Sequence, residues 1–448
     1  MVQSLPARRA GGAELMQSLF DVIIIGAGPA GSTAAILLAR AGWSVALIDK
    51  QRFPRRKVCG ECLAASNLSI LDALGIGQDF RAAAGPELRR VALLHGHRQV
   101  LADLPPGGVE GRRWGRALGR ETLDTLLRDQ AVAAGATLWQ PWVVQDVSGG
   151  RGDWRIAVRA VESNARVTLS APVAIAANGS WEALPSDRPR RQARHRAADL
   201  LAFKANFRGV AQREAPLSLL ALDGGYGGMV LADGGFTTVA CCVRRDRLEA
   251  CRRAFAGLRA GEAVEAWLGQ ACPELRKALA GARRQGPWLA AGPLDPGIRL
   301  RADDAMLRIG NAAGEAHPIV GEGMSMALQS AWLLSARLLE FAGDKPPSHD
   351  ASASATWQRE VALRHAAAWR RQFAPRLRLA AVFAHAFMRP TSSAVLVGLA
   401  RKWPGWLTRG AGWSGKTRDL IDGTAHGLPM RAPPGPGSDL GAFTEEPR

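Results

Sequence analysis

Residues 21–49 read DVIIIGAGPAGSTAAILLARAGWSVALID, and this stretch decides the fold. Val22 to Ile25 is an unbroken apolar, β-branched run, the pattern of a parallel strand buried on both faces. Gly26, Gly28 and Gly31 follow in G-x-G-x-x-G spacing. A helix is expected next, packing through Ala34, Ala35, Leu37, Leu38 and Ala41 and stopping at Gly42. A second strand, Ser44 to Ile48, ends on Asp49. Each part has a physical task. Gly26 permits the tight turn, Gly28 lets the backbone approach a pyrophosphate, and Gly31 lets helix and strand pack closely. The phosphates are favoured at the helix N-terminus, where free amides and the helix dipole both attract anions. Asp49 is placed to accept hydrogen bonds from a ribose. The class is therefore α/β, built on a Rossmann-like dinucleotide domain.

The remaining composition sets bounds. With 448 residues the chain is long enough for two or three domains and a large core. Lys and Arg number 58 against 40 Asp and Glu, a net charge of +18. An excess of this size has three readings: nucleic-acid binding, contact with an anionic membrane surface, or an arginine bias of the coding background. No nucleic-acid reading module is present, so nucleic acid is not expected as a partner. Six cysteines are too few for a disulfide scaffold. The first twenty residues lack a signal-peptide core, and no run of about 18 apolar residues occurs. A cytoplasmic protein without a spanning helix is expected.

Two further motifs bear on which dinucleotide is bound. Residues 305–330 read AMLRIGNAAGEAHPIVGEGMSMALQS. Met306 to Ile309 reads as a strand, Gly310-Asn311 ends it, and Pro318-x-x-Gly321-Glu322-Gly323 opens a long apolar helix. Upstream, Gly119-Arg120-Glu121-Thr122-Leu123-Asp124 opens an amphipathic helix. Together with the glycine loop, these segments resemble the superfamily of FAD-dependent aromatic hydroxylases, geranylgeranyl reductases and flavin-dependent halogenases. The resemblance covers roughly residues 20–345. It implies FAD as the cofactor. It also implies a FAD domain of the p-hydroxybenzoate hydroxylase and glutathione reductase type, an inserted antiparallel-sheet substrate domain and a C-terminal helical region. It assigns Gly26, Gly28, Ala30, Gly31, Asp49, Lys50, Arg120, Gly310, Asn311, Gly321, Gly323 and Met324 to the cofactor. Two positions depart from the family pattern: Asn311 and Asn178 stand where Asp is usual. Asparagine keeps an acceptor oxygen but removes a charge, which bears on how the flavin is reduced.

Residues 57–63, KVCGECL, carry a C-x-x-C. A structural zinc needs a second ligand pair, and Cys241, Cys242, Cys251 and Cys272 form no second C-x-x-C; no metal is expected. A redox dithiol would belong to a different βαβ context. The family places this segment along the flavin, which implies that Cys59 and Glu61 face the cavity, with Cys62 a small buried residue. Whether the Cys59 thiol takes part in chemistry is left open at this level.

The resemblance leaves the reaction open between classes. The halogenase pattern needs a lysine shortly after this loop and a particular tryptophan-rich stretch. Here the next lysine after Lys57 is Lys204, and WQPW (139–142) and WPGW (403–406) do not fit. The expectation is a monooxygenase reduced by NADPH or NADH that acts on a lipophilic or aromatic small molecule. The alternatives are a reductase or dehydrogenase of the geranylgeranyl reductase type and a flavoprotein acting on a protein. His317 is a candidate catalytic proton shuttle, and Tyr226, the only tyrosine, and Pro318 are candidate substrate contacts. The expected organisation is a flexible N-terminus (1–19), a FAD domain (20–85, 113–190, 295–345), a substrate domain (86–112, 191–294), a basic helical region (346–430) and a disordered tail (431–448). From Val361 to Arg418 there is no Asp or Glu while Arg and Lys recur. Such helices suit either peripheral contact with an anionic membrane or a basic cap on the domain.

Overall fold

The computed structural model describes residues 17–107, 113–185, 187, 195–211, 217–342, 346 and 350–413. The expected disordered tail and residues 1–16 of the expected flexible N-terminus lie outside this range. Residues 17–19 of that segment form a strand, β1 (Gln17–Leu19), because their backbone pairs in parallel with β11 (Arg166–Ala171).

At the centre is a parallel sheet with the strand order β19 (Leu307–Arg308), β12 (Val173–Ala176), β2 (Val22–Ile25), β3 (Val45–Ile48), β8 (Thr137–Trp139). All four residues of β2 and of β3 are buried. Side chains alternate across a strand, and the two faces meet different layers. Val22, Ile24, Val45 and Leu47 pack against helices α1 (Pro29–Arg40), α4 (Arg120–Ala133) and α8 (Gly323–Ala342). Ile23, Ile25, Ala46 and Ile48 pack against a second sheet made of β1, β11, β10 (Asp153–Ala160) and β9 (Trp142–Gly150).

A seven-stranded sheet stands over this body in the order β17 (Arg283–Ala291), β13 (Leu200–Arg208), β16 (Thr237–Arg244), β15 (Gly225–Leu231), β14 (Leu217–Leu222), β5 (Arg90–His95), β6 (Arg98–Asp103). Its pairs are antiparallel except β5 beside β14. Helices α5 (Arg245–Ala254), α6 (Ala260–Ala271) and α7 (Pro273–Leu279) cover its outer face through Phe203, Val239, Trp267 and Leu268. Two short ladders join loops: β4 (Cys62–Leu63) with β7 (Arg116–Ala117), and β18 (Gly297–Ile298) with β20 (Gly314–Glu315). Short helices α2 (Leu68–Ala73) and α3 (Gly77–Ala83) flank the first ladder. The C-terminal helices α9 (Ala351–Phe387), α10 (Pro390–Lys402) and α11 (Gly405–Trp413) pack on α8 and on the edge of the large sheet. No helix among the described residues is long and apolar enough to cross a membrane.

Candidate functional site

The glycine loop runs from the end of β2 into α1. Two of its glycines are required by the chain itself. Gly26 has φ of +109°, and a Cβ there would lie 2.4 Å from the Ala177 carbonyl oxygen; at Gly31 a Cβ would lie 1.8 Å from the Gly26 oxygen. Gly28 is different. Its backbone is extended (φ −71°, ψ −176°), and a Cβ there would meet nothing closer than Arg55 Nη2 at 3.7 Å and Arg120 Nη2 at 3.9 Å. Nothing in the protein demands glycine at 28, so the space beside it is room for a ligand.

Two guanidinium groups thus converge on the N-terminus of α1. Carboxylates hold them in place. Arg120 makes a two-pronged contact with Asp124, Nε to Oδ1 at 2.6 Å and Nη2 to Oδ2 at 2.7 Å. Arg55 donates from Nη1 to Asp49 Oδ1 at 2.9 Å. Asp49 also accepts from the amides of Ala27 and Gln51, both at 2.9 Å, so it ties the loop to β3. Lys57 completes a cationic group. Burial, and then the like charges of Arg55 and Arg120, lower its pKa to about 8. A buried cluster of this sign beside a helix N-terminus fits a pyrophosphate.

The far motif closes the other end of the site. Asn311 Nδ2 donates to Ser180 Oγ at 2.8 Å, Ser180 Oγ donates to Glu315 Oε1 at 2.9 Å, and Glu315 pairs with Arg299 at 2.7 Å. The Ser180 proton is committed to Glu315, so Asn311 meets Ser180 as a donor. Asn178 donates to the Glu182 carbonyl, while its Oδ1 is buried without a partner among the described residues. A buried acceptor left open in a cavity wall is a place for a ligand hydroxyl or amide. These features, with the opening at Gly28, fit a dinucleotide stretched across the ends of β2, β12 and β19.

One cavity of about 480 Å³ joins the two ends and continues under the large sheet. It is bordered by every residue that the sequence assigned to the cofactor except Gly31, which packs on the Gly26 carbonyl behind it, by Cys59, Glu61, Tyr226 and Pro318, and by Arg55 and Lys57, which the sequence reading passed over. On the sheet side its wall is Ala202, Leu217, Leu219, Gly228 and Ala240, with Leu294 and Ile319 at the edge. This wall is apolar, and its centre is built of small residues.

Four placements differ from or refine the sequence reading. Lys50 borders the cavity but also pairs with Glu182 at 3.1 Å. His317 does not border the cavity; it lies behind Tyr226, whose hydroxyl is 3.3 Å from His317 Nδ1. Burial, and then His385 with its ring centroid 5.6 Å away, push the His317 pKa down to about 4, so the imidazole is neutral at neutral pH. Burial likewise raises the Tyr226 pKa, keeping it a phenol that can donate to His317. Cys62 is half-buried at the start of β4 rather than enclosed, while Cys59 lies against the Arg120 guanidinium; neither is in a disulfide among the described residues. Among the described residues no group of three or more His, Cys, Asp or Glu is arranged to hold a metal.

Glu61 is the fourth. It was expected to meet substrate, yet its carboxylate accepts from Lys204 Nζ, from Thr238 Oγ1 and from the Arg120 amide at 3.0 Å. It is the first-turn cap of α4 and the bridge to the large sheet. Its backbone has φ of +60°, which costs a non-glycine residue about 1–2 kcal/mol and is held by those three donors. Lys204 had no sequence signal: it reaches Glu61 only because β13, β16 and the loop after β3 meet in space.

A family model for the FAD binding domain matches residues 20–245. Among characterised proteins, conditioned medium factor receptor 1 of Dictyostelium discoideum is 25% identical over 74% of this chain and 66% of that protein. The menaquinone reductase of Mycobacterium tuberculosis is 37% identical over 118 residues, 26% of this chain and 28% of its own length. The matches thus span less than two thirds of either relative. Among solved structures, a myxobacterial chondrochloren halogenase, described as a variant of FAD-dependent halogenases, superposes with a TM-score of 0.69 at 21% identity over 89% of this chain and 91% of that one. At that identity the likeness is one of fold.

Proposed function

This chain belongs to the FAD binding domain family of oxidoreductases, and from that premise we propose that it is a monooxygenase that takes electrons from NADPH or NADH and places one oxygen atom on a lipophilic small molecule. The supporting observation is the cavity wall beyond the cofactor cradle: apolar, built of small residues at its centre, and broken by one phenol, Tyr226. Bound FAD would supply hydride acceptance and oxygen activation. Arg55, Lys57 and Arg120 would hold its pyrophosphate at the N-terminus of α1, Asp49 a ribose, and Asn178 and Asn311 the far end. Tyr226 would hold the polar end of the substrate and exchange a proton with His317. The apolar wall would exclude water from the reacting centre.

The experiment is turnover with NADPH under ¹⁸O-labelled dioxygen, using a panel of lipophilic phenols and quinols. The product should carry one labelled oxygen atom. In Tyr226→Phe, FAD content should be unchanged while labelled product falls at least about tenfold, the low end for a lost acid–base group. A product that gains two hydrogens and no label would instead support reduction. That second reading is favoured by Cys59, a thiol at the cavity edge that could protonate an alkene or quinone, and by the menaquinone reductase match.

The lysine in the cradle gives a pH dependence. A pyrophosphate beside Lys57 favours its charged form, so its pKa rises on binding. Below about pH 8 the lysine is protonated in both states and affinity is flat. Above that, the free protein loses the proton while the complex keeps it, so FAD affinity should fall by up to about tenfold per pH unit. Fluorescence titration of apo-protein with FAD reads this slope, and Lys57→Met should abolish it.

A further inference from the structure

The C-terminal helices carry an outer surface that the reaction does not use. Along α9, Arg371, Arg378 and Val382 recur at helical spacing and are exposed. Val395 on α10 is 61% exposed, Val382 65%, Trp406 54% and Trp403 45%. The two tryptophan rings stack, with centroids 5.8 Å apart and planes at 19°, and Lys402 Nζ lies 4.8 Å from the Trp403 ring. Arg371, Arg378, Arg389, Arg401 and Arg409 make no ion pair with any described residue, and no acidic residue occurs between 361 and 418. Large apolar side chains and unpaired cations thus lie exposed together on the same three packed helices. On the inner side of the same helices, Ala384, Phe387, Met388 and Val397 pack with Tyr226, Ala202 and Ile319 of the cavity wall.

We propose that the end of α9, with α10 and α11, lies on an anionic lipid bilayer, Trp403 and Trp406 entering the headgroup layer and the arginines meeting lipid phosphates. Tryptophan is favoured at that depth because its ring is apolar with one polar edge. Each basic residue near an anionic surface adds about 1 kcal/mol. An acidic protein or nucleic acid would satisfy the cations but would leave unexplained why aromatic and branched apolar side chains stand exposed among them. The chain lies on the bilayer without spanning it. The cavity is then one helix layer from a reservoir of lipophilic molecules. The docking holds whichever reaction the flavin performs.

The test uses the full FAD-loaded protein and sedimentation with phosphatidylcholine vesicles, with and without phosphatidylglycerol. Binding should require phosphatidylglycerol, weaken with added salt, and shift tryptophan emission to the blue. The double variant Trp403→Ser/Trp406→Ser should bind at least about tenfold more weakly with FAD content and NADPH oxidation unchanged. If that variant loses FAD, Arg401→Glu/Lys402→Glu is the alternative and should show the same loss. No binding to anionic vesicles, or binding that survives both variants, overturns the proposal. Capture of an acidic protein by this face without vesicle binding would do so in favour of a protein partner.

Discussion

Replacing Lys204 with methionine lowers the stability of the fold by about 3–5 kcal/mol, the cost of leaving one member of a buried ion pair behind. Lys204 is 1% exposed and Glu61 2%. The pair ties β13 of the large sheet to the loop that lies under the cavity and to the first turn of α4. Without the ammonium, the buried Glu61 carboxylate keeps only Thr238 and one amide as donors. The positive φ at Glu61 then loses part of its restraint. A loss of this size is a large part of the ~5–15 kcal/mol that typically holds a folded protein together. The double variant Lys204→Met/Glu61→Leu removes both charges and should recover part of the loss. Urea unfolding of the three proteins, compared at equal m-value, measures it. A change under about 1 kcal/mol for Lys204→Met would mean that the pair is hydrated and that the two layers are held together otherwise.

The second large effect separates the cradle from the fold. Gly28→Val should leave a folded protein that binds FAD at least about 100-fold more weakly, a loss of about 2.7 kcal/mol. The backbone at 28 is already extended, and a Cβ there meets only the tips of Arg55 and Arg120. It should therefore fit the protein while filling the space proposed for the pyrophosphate. A lost contact to a charged group is worth about 1.5–3 kcal/mol, and one such contact accounts for the predicted change. Gly31→Val is the counterpart: its Cβ would lie 1.8 Å from the Gly26 oxygen, so this variant should fail to fold. Flavin absorbance of the purified variants, with titration of the apo-proteins, distinguishes the two. Retention of FAD with unchanged affinity in Gly28→Val would place the pyrophosphate elsewhere.

What the sequence displayed and what it hid follow from the range of the interactions. The segment from Val22 to Asp49 is legible because its hydrogen-bonded turn, helix start and strand pairing lie within one short unit, and each residue type states its own constraint. The second motif at Gly310 to Met324 is legible only through its resemblance to a family pattern. Arg55 and Lys57 were not, because a basic residue in a loop has no local signature of the anion it will face; only the folding of that loop over Gly28 gives them a role. Lys204 is the extreme case. It lies 143 positions from Glu61 in the chain, and its direction is set by the register of β13 against β16, which pairs Lys204 with Ala240 and Asn206 with Thr238. The family resemblance made Tyr226 a candidate substrate contact, and it borders the cavity, but no local pattern signals that His317 stands behind it rather than beside it. Asn311 read as an aspartate with one charge fewer; in the structure its amide donates into the Ser180 and Glu315 chain.

The most direct test of the monooxygenase reading is turnover without oxygen. FAD-loaded protein is mixed anaerobically with NADPH in excess and a lipophilic acceptor that it converts in air. The account predicts a single stoichiometric reduction of the bound flavin and then no further NADPH consumption until oxygen is admitted. Continued NADPH oxidation with conversion of the acceptor in the absence of oxygen would contradict it and establish a reductase in its place.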